Sequence, residues 1–303
     1  MIARIRIQRA GPLCTVQDLG RPGHLAHGVS ASGPMDRAAY ILAGMWWEAS
    51  DDAGVEFTQA GIDIVLEAGQ LPVGWAGGVF AVRLNGELLS WPGKCTLAAG
   101  DRLSVTPGPA GNYGYLRFGG TMNVPDVLGS KSTSTRARLG GLAGRALQTG
   151  DFLEFQGEHG RPDGAVPPTP NAEAKGPIHF IWGIHAEKFA PAVRRNFVEV
   201  PFRVSAAMDR MGVRLVDENG VFAGASILSL ISDPIMPGDI QILGDGTPIV
   251  LMRDHQPTGG YPRIGTIVSA DLDRFAQIRP GETVAFAPVS VDHAHRLLGS
   301  RKA

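Results

Sequence analysis

The chain is poor in cysteine, in net charge and in long apolar runs. Cys14 and Cys95 are its only thiols, so at most one bridge is available and a disulfide scaffold is excluded. Lys and Arg number 28 against 29 Asp and Glu, a formal charge of −1. Such a balance supplies no overall basic field, and neither nucleic acid nor an acidic membrane surface is expected as a partner. The longest nearly apolar stretch, LPVGWAGGVFAV from Leu71, is too short and too glycine-rich to span a bilayer. The opening MIARIRIQRAG alternates Ile with Arg instead of forming a signal-peptide run. Reduced thiols and a cytoplasmic location are therefore expected.

What the chain has in excess is turn residues. Gly is present 41 times and Pro 22 times, with no strict period. Short apolar or alternating runs fill the spaces between them: Ile2 to Ile7, Ile62 to Leu66, Val79 to Leu84, Arg102 to Val105, Tyr115 to Phe118, Phe152 to Phe155, Ile178 to Trp182 and Phe197 to Val204. These read as strands. One signature recurs four times, as Ala99-Gly-Asp, Thr149-Gly-Asp, Pro237-Gly-Asp and Pro280-Gly-Glu, each followed by a strand. Gly supplies a positive φ and the acid accepts a local backbone bond, so each is read as a tight turn. Helices are few. One is expected from Pro34 to Trp47, with Gly33 at its cap and Ala38, Leu42, Met45 and Trp46 on the core face. Short ones are expected near Ala186 to Ala190, Leu272 to Ile278 and Asp292 to Leu298, the last capped by Ser290. The stretch 157–176 has no apolar period and reads as a linker between domains at 1–156 and 177–303. The fold class is mainly β, with two closed or nearly closed barrels.

Five polar loops stand out. The first holds Gln17, Asp18 and Arg21, and the second Ser32 and Asp36. The third, from Gly129, holds Ser130, Ser132, Thr133 and Arg136, whose hydroxyls, amides and guanidinium suit an anion or carboxylate. It is not a Walker A loop, because no second glycine precedes Lys131. The fourth is densest: Asp254, His255, Gln256, Thr258, Tyr261 and Arg263 lie within ten residues. His255 has the intrinsic pKa for proton transfer near neutrality, and Arg263 the fork for a carboxylate. In the fifth, Asp209-Arg210-Met-Gly-Val-Arg214, Asp209 and Arg214 are expected to form an ion pair around a turn. Hydrogen bonding among these groups beneath turns is the alternative to a ligand role. No metal site is expected, since the His pairs 24/27 and 293/295 lack supporting ligands. There is no G-x-S-x-G elbow and no G-x-G-x-x-G fingerprint.

Taken in order, TVQDLGRPG from Thr15, SGPMD from Ser32, GSKSTSTRARLGGLAGR from Gly129, DRMGVRL from Asp209 and PIVLMRDHQPTGGYPRI from Pro248 resemble the biotin-dependent carboxyltransferase family, also called allophanate hydrolase subunit 2. The resemblance implies two cyclophilin-like β barrels and a KipI-like partner, the B component of a larger complex. It implies a role as the C subunit of an ATP-dependent 5-oxoprolinase, which turns 5-oxo-L-proline into L-glutamate with a further PxpA-like partner as its A component. In that role the complex uses ATP, and this chain holds no cofactor of its own. The alternatives within the family are carboxyl transfer from carboxybiotin to urea or a small amide, and a non-catalytic KipA-like role restraining a KipI-like inhibitor. The family motif usually carries a hydroxyl where this chain has Pro257, which removes an amide donor. Among the motif residues, the resemblance implies that Asp254, His255, Gln256, Tyr261 and Arg263 line the chemistry. Gln17, Asp18, Arg21, Ser32, Asp36, Ser130, Ser132, Thr133, Arg136, Asp209, Arg210 and Thr258 are implied to wall the substrate or an interface.

Overall fold

The four glycine–acid turns are built alike. Gly100, Gly150, Gly238 and Gly281 have φ of 96°, 95°, 93° and 89°, a region closed to most side chains. In each, the acid's carboxylate accepts the amide three residues earlier: Asp101 from Ala98 and Asp151 from Gln148 at 2.7 Å, Asp239 from Met236 at 3.0 Å and Glu282 from Arg279 at 2.8 Å. The acid's own amide returns a bond to the carbonyl of that same residue. A strand begins at or just after every one of these acids. The structure, a computed structural model, describes residues 2–46, 53–157, 176–224 and 230–300.

The chain forms two units: residues 1–22 with 31–172, and residues 23–30 with 173–303. Most of the linker expected at 157–176 lies outside the described residues, as does Trp47. The first unit contains β1 (Ile2–Ala10), β2 (Thr15–Gln17), α1 (Arg37–Gly44), β3 (Gly54–Thr58), β4 (Ile62–Ala68), β5 (Gln70–Leu84), β6 (Glu87–Leu89), β7 (Gly93–Ala98), β8 (Arg102–Phe118), β9 (Thr121–Met122) and β10 (Phe152–Gln156). They form one ten-stranded sheet along β2-β3-β8-β4-β1-β10-β9, with β5 branching from β8 and carrying β6 and β7. The two runs expected at Arg102 and Tyr115 are one strand, β8, long enough to pair with β3, β4 and β5 at different points. Ile5, Ile7, Val55, Phe57, Ile64, Leu66, Trp75 and Leu116 fill the interior.

The second unit contains β11 (Ile178–Trp182), α2 (Pro191–Glu199), β12 (Phe202–Met208), β13 (Gly212–Val216), β14 (Asp233–Pro234), β15 (Asp239–Ile242), β16 (Pro248–Leu251), β17 (Thr258–Gly259), β18 (Arg263–Ile267), α3 (Ser269–Ala276), β19 (Thr283–Val284), β20 (Phe286–Pro288) and α4 (Val291–Ser300). Eight of its strands run in the order β19-β12-β13-β16-β15-β18-β11-β20. The two edge strands, β19 and β20, are separated in sequence by Ala285 alone, and its carbonyl accepts the amide of Ile178 at 2.8 Å. One continuous stretch thus joins both ends of the sheet into a nearly closed barrel. The fold is mainly β with four short helices among the described residues, as the sequence leads one to expect.

Three local expectations are corrected. The first helix begins at Arg37, because Asp36 is extended and its Oδ1 caps the amide of Ala39 at 2.9 Å. Met45 is 55 % exposed and lies past the helix end, off the core face. Phe197, read as the start of a strand, is the buried residue of α2, where Pro191 opens the helix at a position that needs no amide. Its apolar neighbours made a strand-like run, but its contacts are helical ones, with the ring stacked on Phe286 at 5.1 Å.

Candidate functional sites in the two units

In the first unit the loop after β2 meets the loop from Gly129. Asp18 accepts the hydroxyls of Ser130 and Ser132, both at 2.6 Å, the amide of Lys131 at 2.5 Å and that of Gly20 at 2.8 Å. The Gly129 loop is therefore a carboxylate cradle, and the carboxylate it holds is the protein's own. Burial acts to raise the Asp18 pKa, but the two serine bonds and two amide bonds outweigh it and hold the carboxyl below its usual range. Arg21 is buried and donates to the carbonyls of Val127 and Ser132. Gln17 ties the Gly129 loop to the Ser32 loop: its Nε2 donates to the Thr133 carbonyl at 3.1 Å and its Oε1 accepts the Gly33 amide at 3.1 Å. Ser32, at φ 55°, and Thr133 are buried, and their hydroxyls find no partner among the described residues. Arg136 stands at the exposed end of the cradle loop.

Behind this cluster lies a buried network that sequence reasoning missed. Glu56 on β3 accepts the amide of Met35 at 2.8 Å and the hydroxyl of Tyr115 at 2.9 Å, and the same hydroxyl accepts the Asp36 amide at 2.7 Å. Burial, followed by the charges of Glu56 and Asp36, raises the Tyr115 pKa well above its ordinary value, so the phenol stays a donor. The signal available in the sequence was a charged residue at Glu56, inside the otherwise apolar run GVEFT.

In the second unit Arg210 and Asp254 form a buried two-pronged pair, Nε to Oδ2 at 2.9 Å and Nη2 to Oδ1 at 3.2 Å. Asp209 does not pair with Arg214. Its Oδ1 turns back onto the amides of Met211 and Gly212, at 2.7 and 3.1 Å, a local turn that competes successfully with a distant cation. Arg214 instead lines a cavity of about 410 Å³ with Asp217, Asp245 and Phe222.

The Asp254 loop folds over β15 and β18. His255 is buried, and its Nδ1 lies 2.6 Å from the Gln256 carbonyl, so Nδ1 carries the proton and Nε2 is the acceptor. Burial lowers its pKa against the raising effect of the Gln256 carbonyl, Asp239 and Asp254, which keeps the ring neutral at pH 7. Arg263 is engaged by the chain itself: Nη2 binds Asp233 at 2.8 Å, and Nη1 binds the Pro234 carbonyl at 2.9 Å and Asp239 at 3.2 Å. Asp239 also accepts the Thr266 hydroxyl at 2.6 Å. The Arg263 amide donates to Nδ1 of His185 at 3.3 Å, and burial and then the Arg263 charge lower the His185 pKa. Thr258 and Tyr261 are exposed beside this cluster, and β14 and β17 pair over it as a separate two-stranded sheet. Asp233, Asp239, His185 and Gln241 lie in or beside this cluster; Asp239 was legible only as the acid of a glycine–acid turn, and Asp233, His185 and Gln241 were not singled out as site residues in the sequence. Among the described residues no group of three His, Cys, Asp or Glu is placed to hold a metal. The loop offers a neutral imidazole whose Nε2 can accept a proton, and a guanidinium already held by Asp233 and Asp239.

Comparison with known proteins identifies the chain's relatives. The C subunit of 5-oxoprolinase from Escherichia coli (strain K12) is 34 % identical over 307 residues, covering 96 % of this chain and 93 % of that protein. The like-named protein of Haemophilus influenzae (strain ATCC 51907 / DSM 11121 / KW20 / Rd) is 31 % identical and covers 93 % and 90 %. The crystal structure of the K. lactis urea amidolyase superposes with a TM-score of 0.88 at 26 % identity, over 99 % of this chain and 19 % of that one. Residues 27–288 match the family described as carboxyltransferase domain, subdomain A and B, and the chain belongs to that family.

Proposed function

We propose that this chain is the C subunit of an ATP-dependent 5-oxoprolinase, acting with a KipI-like B component and a PxpA-like A component to open 5-oxo-L-proline to L-glutamate. The observation that supports this reading is end-to-end correspondence: the chain covers 93 % of the E. coli protein but only a fifth of the urea amidolyase. In this reading ATP is consumed by the complex, and this chain supplies binding and polarising groups for the lactam. His255 Nε2, an acceptor on a neutral ring, serves as proton acceptor, and the Arg263–Asp233–Asp239 brace keeps the surrounding wall rigid. The test is reconstitution. Mixing the chain with both partners, ATP and 5-oxo-L-proline should release glutamate. Each component omitted singly should abolish it, and no glutamate from the full mixture would sink the reading.

The likeness to urea amidolyase favours a second reading, carboxyl transfer from carboxybiotin to urea or a small amide. It requires binding of a biotinylated carrier. Calorimetry showing no heat with biotin or with such a carrier would remove it.

A further inference from the structure

The cavity at Arg214 shares no lining residue with the cluster around Asp254 and Arg263. It measures about 410 Å³, a size met in small-molecule sites, and lies wholly within the second unit. Three stretches far apart in sequence build it: Ser205 on β12, Arg214 with the turn that follows β13, and the turn at Asp245 to Thr247 that leads into β16. Arg214 alternates outward between buried Val213 and Leu215. Its guanidinium makes no hydrogen bond or ion pair with any described residue. Arg203 and Arg210, the cations that precede it in the chain, are paired with Glu218 and Asp254. Asp217 is only half satisfied. Its Oδ2 accepts the Phe222 amide at 2.9 Å, whereas its Oδ1 is buried and has no partner among the described residues, so the carboxylate has capacity left for a cation. Asp245 accepts the Thr247 amide at 2.9 Å. That amide and the Thr247 hydroxyl, helped more weakly by the Arg214 charge, hold its carboxyl below the usual range. One guanidinium and two carboxylates thus share a cavity whose lining also includes apolar Val216 and Ala223.

We propose that this cavity binds a free α-amino acid, its carboxylate on Arg214, its ammonium on Asp217 and Asp245, and an apolar side chain against Val216 and Ala223. A guanidinium selects a carboxylate by matching its planar fork. The two acids call for a positive group and repel a second negative one. A ligand that carries both charges on one carbon meets both demands within a small space. L-glutamate brings a second carboxylate toward Asp217 and Asp245 and is disfavoured. 5-oxo-L-proline has a carboxylate, but its nitrogen is an uncharged lactam N–H and leaves the acids unanswered. The cavity is therefore an effector site, separate from the reacting lactam. The inference does not rest on the oxoprolinase reading, and its test needs no turnover.

The experiment is calorimetry on the intact chain with L-leucine, 4-methylpentanoate, 3-methylbutylamine, L-glutamate and 5-oxo-L-proline. L-leucine should bind. Its analogues without the ammonium or without the carboxylate, and L-glutamate, should each bind about tenfold or more weakly, the loss that goes with one charge-assisted hydrogen bond. Arg214→Gln changes an exposed position, so it should keep the parent's urea midpoint and lose the L-leucine heat. The heat with 5-oxo-L-proline should be the same in both chains. Asp245→Asn keeps an oxygen for the Thr247 amide and should narrow the gap between L-leucine and 4-methylpentanoate, and it decides the matter if Arg214→Gln does not fold. The proposal is overturned by no L-leucine binding, by equal affinity for 4-methylpentanoate, by a folded Arg214→Gln chain that keeps L-leucine, or by an Arg214-dependent heat with 5-oxo-L-proline in place of L-leucine.

Discussion

Asp18 carries more of the first unit's loop structure than any neighbouring side chain, because four donors from two distant loops converge on it. Asp18→Asn keeps the shape, removes the charge and turns one acceptor into a donor. A loss of about 2–3 kcal/mol is expected, the scale of a hydrogen bond to a charged group, read as a lower urea midpoint with unchanged slope. Its pH dependence has a definite sign. The folded pKa lies below the ordinary value, so between the two the unfolded chain holds more protons and stability rises with pH. The contribution is complete above about pH 4 and lost as pH falls through the folded value. His255 behaves with the same sign one step higher. Its folded pKa is depressed, so its contribution is complete above about 6.5 and fades as pH drops below. Urea unfolding at about pH 7.5 and about pH 5 should show a smaller acid loss in His255→Gln than in the parent. Asp18 and His255 were legible in the sequence as polar residues in glycine-rich loops. Their partners were not. Ser130 and Ser132 lie 112 and 114 residues from Asp18, and no local rule reaches that far. Gln241 was illegible for another reason: in DIQIL it alternates with Ile240 and Ile242 as a surface residue would.

At the scale of elements, what the sequence showed best was what is decided within four residues. All four glycine–acid turns were readable, since one positive φ and one short bond define them. They are not equally tolerant. At Gly100 a Cβ meets nothing within 4 Å, whereas at Gly238 it lies 2.9 Å from the Ile267 carbonyl. Gly100→Ala should cost about 1–2 kcal/mol, the left-handed penalty alone. Gly238→Ala should cost measurably more, both read by chemical denaturation. Helix boundaries were less readable. The start of α1 was decided by which of several polar residues before it caps, and Asp36 won over Gly33. The segment at Phe197 was decided by packing against other aromatic rings, which composition does not reveal. The Arg210–Asp254 pair couples the turn before β13 to the loop after β16. Asp254→Asn removes the charge partner of a guanidinium that is only 3 % exposed, and about 3–5 kcal/mol should be lost in denaturant unfolding.

For the whole molecule, the β class and the nearly closed sheet of the second unit were legible from turn frequency and strand length, whereas the sheet of the first unit is an open one that ends at β2 and β9. Residues 23–30 group with the second unit although the chain on both sides belongs to the first. Nothing in their composition distinguishes them from the polar loop around them. The Arg21 amide bonds the Ala31 carbonyl at 2.7 Å, so the excursion leaves and returns at one point. The second barrel, in turn, is completed by its last strands. β19 lies against β12, and β20 runs parallel to β11. A premature stop just ahead of Thr283 would therefore do more than shorten the protein. It would unzip the cylinder and leave the outward rows of amides and carbonyls on Phe202–Met208 and Ile178–Trp182 bare. Such a product should be recovered in inclusion bodies, self-associating through those two raw margins.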